Sequence, residues 1–119
     1  IDHAMLSELQ MLGGEQEPEF FERVITLFLA ETQERIASIK EVIDRGDAKA
    51  LKSFAHQLSG SCIQLGILDI ASTCKMLERA AATSHSLEGA AALLAQLQSQ
   101  FENVSCELQT RYLSIKGAE

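Results

Sequence analysis

Between residues 51 and 66 the apolar side chains recur at intervals of three and four: Leu51, Phe54, Ala55, Leu58, Cys62 and Leu65. At about 100° per residue they share one face of a helix. The same winding turns His56 and Gly60 to the opposite face, with Lys49, Lys52, Ser59 and Ile63 around them. Such a helix buries its leucines and presents a histidine to water. An imidazole in that position is free to act as a nucleophile or proton carrier.

Gly60 sharpens this expectation. A glycine inside a helix costs roughly 0.5–1 kcal/mol relative to alanine, and on the exposed stripe no packing constraint demands one. It leaves bare backbone one turn beyond His56, where another protein can approach closely. Ile63, apolar at the edge of the same face, is the kind of residue that marks a docking surface. The pattern predicts an accessible nucleophile inside a small protein-binding patch.

The rest of the chain is also helical in period. A short amphipathic helix is predicted over about residues 2–12, stopped by Gly13 and Gly14. Pro18 suits the first turn of a long second helix, with apolar positions at Phe20, Phe21, Val24, Ile25, Phe28, Ile36, Ile39 and Ile43, and Gly46 ends it. Asp47 is an N-cap for the third helix, which runs to Gly66. A fourth spans about 68–82. The polar break Thr83-Ser84-His85-Ser86 follows, with Ser86 as N-cap of the last helix. There Ala90, Leu94, Leu97, Phe101, Val104 and Leu108 alternate spacings of four and three, the seam of an antiparallel bundle. Strand signals are absent. The expected fold is all-α: an antiparallel up-down-up-down four-helix bundle with a short N-terminal capping helix, residues 1–119 forming a single domain.

At His56 a family resemblance enters. The run His56-Gln57-Leu58-Ser59-Gly60-Ser61-Cys62-Ile63-Gln64-Leu65-Gly66 resembles the H-x-L-K-G-S-S-x-x-x-G signature of histidine phosphotransfer (HPt) domains. Leu6, Leu9, Gly13 and Gly14, the Phe20-Phe21…Leu27-Phe28-Leu29 helix, Gly46-Asp47 and Leu77-Glu78 resemble the surroundings found in HPt modules of hybrid sensor kinases. The resemblance implies that His56 accepts a phosphoryl group from a receiver-domain aspartate and passes it to another receiver. It implies receiver (response regulator) partners that supply Mg²⁺, no cofactor of the domain's own, and tethering to a hybrid histidine kinase. Two positions depart from the signature. Ser59 stands where the family has a lysine that helps neutralise the phosphoryl group, and Cys62 replaces a serine on the buried face. Lys52, one turn before His56, is a source of replacement charge. Gln57, Lys52 and Ser59 are candidates to hydrogen-bond the ring or the phosphoryl oxygens, and Glu78 to orient the ring from the next helix. Lys49, Gly60 and Ile63 are candidates for receiver docking.

Composition narrows the alternatives. A net charge of −7, from 17 acidic and 10 basic residues, opposes nucleic-acid binding. No Gly-rich phosphate loop or nucleotide motif is present, so no ATP-binding or kinase activity of its own is expected. No apolar run approaches ~18 residues and no basic-plus-apolar leader opens the chain, which predicts no membrane contact. Ile1 in place of an initiator methionine suggests a domain excised from a longer protein. Cys62, Cys74 and Cys106 lack paired spacing and each falls at an apolar helical position. All are expected to be buried small hydrophobes in a reducing, cytoplasmic compartment. His3 and His85 read as ordinary surface residues, and no metal site is expected from the histidines and cysteines. Two further classes compete with a relay intermediate: a binding-only pseudo-phosphotransfer module that docks receivers, and a structural helical bundle. The exposed positions form no long apolar stripe, which predicts a monomer.

Overall fold

The computed structural model describes residues 20–83 and 89–113, together with position 4. The predicted capping helix over 2–12, its stop at Gly13-Gly14, Pro18, His3, His85 and Ser86 lie outside the described residues. Four α-helices follow one another: α1 (Phe20–Arg45), α2 (Ala48–Gln64), α3 (Leu68–Thr83) and α4 (Ala90–Leu108), the last running into a π-helical turn at Gln109–Leu113. There is no strand among the described residues.

Two glycines make the tight connections. α1 closes at Gly46, which takes φ +72°, while Gly46 N–H donates to Ile43 O and Asp47 N–H to Val42 O. α2 closes the same way at Gly66, φ +74°, with Gly66 N–H on Ile63 O and Ile67 N–H on Cys62 O. Both are Schellman closures, in which the left-handed residue satisfies the last carbonyls and reverses the chain. Asp47 then caps α2, its side chain accepting from Ala50 N–H at 3.0 Å. Short reversals of this kind force neighbouring helices antiparallel.

α2 packs most extensively on α3, and α4 closes the ring between α3 and α1. The interior is aliphatic. Ile25, Ile39, Leu51, Leu58, Ile67, Ile70, Leu77, Leu97 and Leu108 are fully enclosed, each burial being worth about 1.5–3 kcal/mol. The seam predicted for the last helix is in place: Ala90, Leu94, Leu97, Val104 and Leu108 are buried and Phe101 packs half-buried against them.

Three placements differ from the sequence expectation. Ser59 is not on the outward face but 1 % exposed, because α3 covers that flank of α2. Cys106 is exposed, two residues beyond Val104 and so off the buried seam of α4, whereas Cys62 and Cys74 are buried as expected. Phe20 is 39 % exposed at the first turn of α1, where neighbouring helices give less cover than Phe21 finds one residue later.

Candidate functional site

His56 stands at mid-length on α2 with 74 % of its side chain exposed, and Glu78 reaches it from α3. The Nδ1 and Oε1 atoms are 2.8 Å apart, and the glutamate side chain is only 16 % exposed. An ionised carboxylate can only accept, so Nδ1 carries the proton and donates. The lone pair of Nε2 is thereby directed away from α3, toward solvent. A half-buried carboxylate on one ring nitrogen also fixes the ring plane and favours the imidazolium that forms when the other nitrogen bonds an electrophile.

Beside the ring lies an open cleft of about 390 Å³, lined by Lys49, Lys52, Ser53, His56, Gln57 and Glu78. Of the residues singled out from the sequence, the structure therefore gathers Lys49, Lys52, Gln57 and Glu78 around His56. Among the described residues Lys49 and Lys52 have no carboxylate partner, in contrast to Lys40, Arg45 and Arg111, each of which pairs with an acid on its own helix. Two uncommitted ammonium groups thus face a cleft whose one carboxylate is held by the imidazole.

Gly60 and Ile63 occupy the outer face beyond His56. A Cβ built on Gly60 meets nothing within 4 Å, so the bare backbone there answers no internal packing need. Ile63 is 43 % exposed. Ser59 does not line the cleft, and its Oγ is buried without a hydrogen-bond partner.

Two features of this region carry no mark in the sequence reading above. Ser53 lines the cleft one turn before Gln57. Arg35 of α1 donates to Oγ of Ser61, within the signature run, at 2.6 Å. That bond joins residues 26 apart in sequence, and no local pattern signals it. Ser53 was legible from helical phase, being close to Lys49 and Gly60 on the outer face.

Burial pushes the thiol of Cys74 up to about 12, with the charge of Glu78 adding to the effect. Burial likewise raises Cys62, with Cys74 adding to it and Arg35 opposing. These thiols sit behind the site as neutral packing groups, not as nucleophiles.

An exposed histidine oriented by a carboxylate on a helical bundle suits a nucleophile that meets a second macromolecule. The sequence matches the family model of the Hpt domain over residues 23–106, and the chain belongs to that family. It is 26 % identical over 78 residues to multistep phosphorelay regulator 1 of Schizosaccharomyces pombe, covering 66 % of this chain but 26 % of that protein. It is 25 % identical to histidine-containing phosphotransfer protein 1 of Arabidopsis thaliana, over 88 % of this chain and 69 % of that one. A similar likeness, 25 % over 89 % and 71 %, links it to pseudo histidine-containing phosphotransfer protein 2 of rice. The fold superposes on crystalline histidine-containing phosphotransfer protein B of Pseudomonas aeruginosa with a TM-score of 0.84 and 27 % identity, covering 92 % of this chain and 91 % of that one. As an Hpt domain, the chain has the role of a phosphorelay intermediate of two-component signalling. No helix among the described residues is long and apolar enough to cross a membrane.

Proposed function

We infer that His56 is the residue that carries the phosphoryl group. The observation that carries this reading is the 2.8 Å contact between Nδ1 and Glu78 on an otherwise exposed ring. In the forward step the Nε2 lone pair attacks phosphorus of a receiver's aspartyl phosphate. The N–P bond forms, the bond from phosphorus to the carboxyl oxygen breaks, and the aspartate carboxylate leaves with the electron pair. The Nδ1 proton stays on the ring, its charge balanced by Glu78. Transfer to a second receiver is the same step reversed. Positioning and charge neutralisation do most of the work in such a reaction. Lys52 and Lys49 supply positive charge from the cleft and Gln57 supplies hydrogen bonding, while Gly60 and Ile63 meet the receiver surface. The receiver contributes Mg²⁺ and its own acidic pocket; the domain brings no metal of its own.

The finer setting has two sources: the lack of a long apolar stripe supports a monomer, and the resemblance supports a cytoplasmic module tethered at the C-terminal end of a hybrid sensor kinase. Binding without transfer is the second reading. It is favoured by Ser59, which leaves the signature without its lysine, and His56 and its oriented ring stand against it.

The test is to mix the domain with a phosphorylated receiver and Mg²⁺ and look for acid-labile, base-stable phosphate, with His56→Gln as control. Label on the wild type alone supports the acceptor reading. Receiver binding without label favours the docking module, and neither label nor binding leaves a structural bundle.

A further inference from the structure

The Ser59 position raises the question of where the missing charge comes from on the C-terminal side of His56. Lys49 and Lys52 both precede the histidine on α2. α2 and α3 run antiparallel, and the His56–Glu78 bond fixes their register. Three residues onward from His56 along α2 is Ser59, and three residues back from Glu78 along α3 is Lys75. The two therefore stand at the same level, about 4.5 Å along the axes from the histidine.

The flanks of α3 are identified by its contacts. Thr73 faces α4, donating from Oγ1 to Gln100 Oε1 at 2.7 Å, and Glu78 faces α2. Lys75 lies about 60° around the helix from Glu78 and about 160° from Thr73, which puts it on the α2 side. It is exposed, and among the described residues it has no carboxylate partner. Ser59, opposite, is buried with its hydroxyl unpartnered, so α2 itself offers no cation at this level.

We propose that Lys75 serves the phosphoryl group on His56 from across the α2–α3 groove, in the place that Ser59 leaves without charge. The proposal rests on His56 as the acceptor. A flexible ammonium stem suits the role, since it can follow the phosphoryl group as the receiver delivers and withdraws it. With Lys52 on the other side, cations from two helices then bracket the transferring group, and the charge that the family places on one helix is here split between two.

The experiment is the transfer rate from a receiver domain charged with acetyl phosphate and Mg²⁺, measured at saturating receiver for wild type, Lys75→Gln, Lys75→Arg and Lys75→Glu. Lys75→Gln lowers the rate roughly fivefold, as loss of one partly screened charge several ångströms away would. Lys75→Arg keeps it, Lys75→Glu lowers it further, and all retain the wild-type melting midpoint. Ser59→Lys in the Lys75→Gln background restores the rate, a rescue that a merely structural lysine does not give. If that buried substitution prevents folding, the order Arg, Gln, Glu at position 75 decides by itself. Equal rates for wild type and Lys75→Gln, with His56→Gln inactive, would overturn the proposal and leave the acceptor reading standing. So would an effect on receiver KM alone. Absence of label on the wild type would bring down the acceptor reading and this proposal with it.

Discussion

Glu78 holds the imidazole of His56 from another helix, 22 residues further along the chain, with its own carboxylate largely enclosed and the ring largely exposed. The asymmetry gives each partner a different job. The buried member is fixed by packing and the exposed member is free to meet a partner, so the ring is aimed without being hidden.

Replacing Glu78 by Gln keeps the shape and removes the charge that balances the imidazolium. Transfer to His56 should slow about tenfold, the equivalent of one charge-assisted hydrogen bond of about 1.4 kcal/mol. The Nδ1 and Nε2 shifts of His56, read by nitrogen NMR, should show the two neutral tautomers approaching equal population. An unchanged spectrum would mean that the carboxylate does not set the tautomer.

His56→Gln should abolish labelling while changing unfolding stability by no more than about 0.5 kcal/mol, because the side chain lies outside the core. Urea denaturation measures this directly. A loss of several kcal/mol would contradict the exposed placement.

Gly60→Ala should stabilise the domain by about 0.5–1 kcal/mol, since the methyl group enters open space on a helix. Gly60→Gln should weaken receiver binding instead, as seen by titration calorimetry. Undiminished binding would show that the receiver does not use the bare backbone.

Ser59→Ala removes a buried hydroxyl that has no partner. The expected result is a gain of up to about 1 kcal/mol in stability with the transfer rate unaltered. A slower rate in this variant would return Ser59 to the chemistry.

The thiols give a prediction with a pH sign. Cys74 is raised from an ordinary 9.0 to about 12 by burial, and Cys62 is raised as well. In the unfolded chain both ionise at lower pH than in the fold. Their contribution to stability is therefore intact below about pH 9 and is lost as pH climbs toward 12. Denaturation midpoints should fall across that window, and less so in Cys74→Ala. At pH 8, iodoacetamide should modify Cys106 in the native protein and all three cysteines only in denaturant.

The helices and the outward placement of His56 were legible because period and phase are properties of one segment. Leu51, Ala55, Leu58 and Cys62 had to share a face, and His56 had to oppose them. Phase on a single helix does not say where its neighbours sit, and that is why Ser59 was misplaced. It lies about 60° from His56 around α2, on the flank that α3 covers. Cys106 was misjudged on residue type, although its offset from Val104 already put it outside the seam. The Arg35–Ser61 bond joins two helices through side chains with no shared local signal, so only the packed structure reveals it.

The Gly66 reversal has a consequence for how the site endures motion. His56 and Glu78 stand on the two arms of a single helical hairpin, α2 and α3, closed by that turn. Fraying of α1 or α4 does not by itself part them. In a hydrogen-exchange experiment the amides flanking both residues should exchange together and more slowly than those at the outer ends of the bundle. A partner that grips or strains the peripheral helices would then leave the imidazole and its aiming carboxylate in register, and the bundle would flex at its edges while that pair stays set.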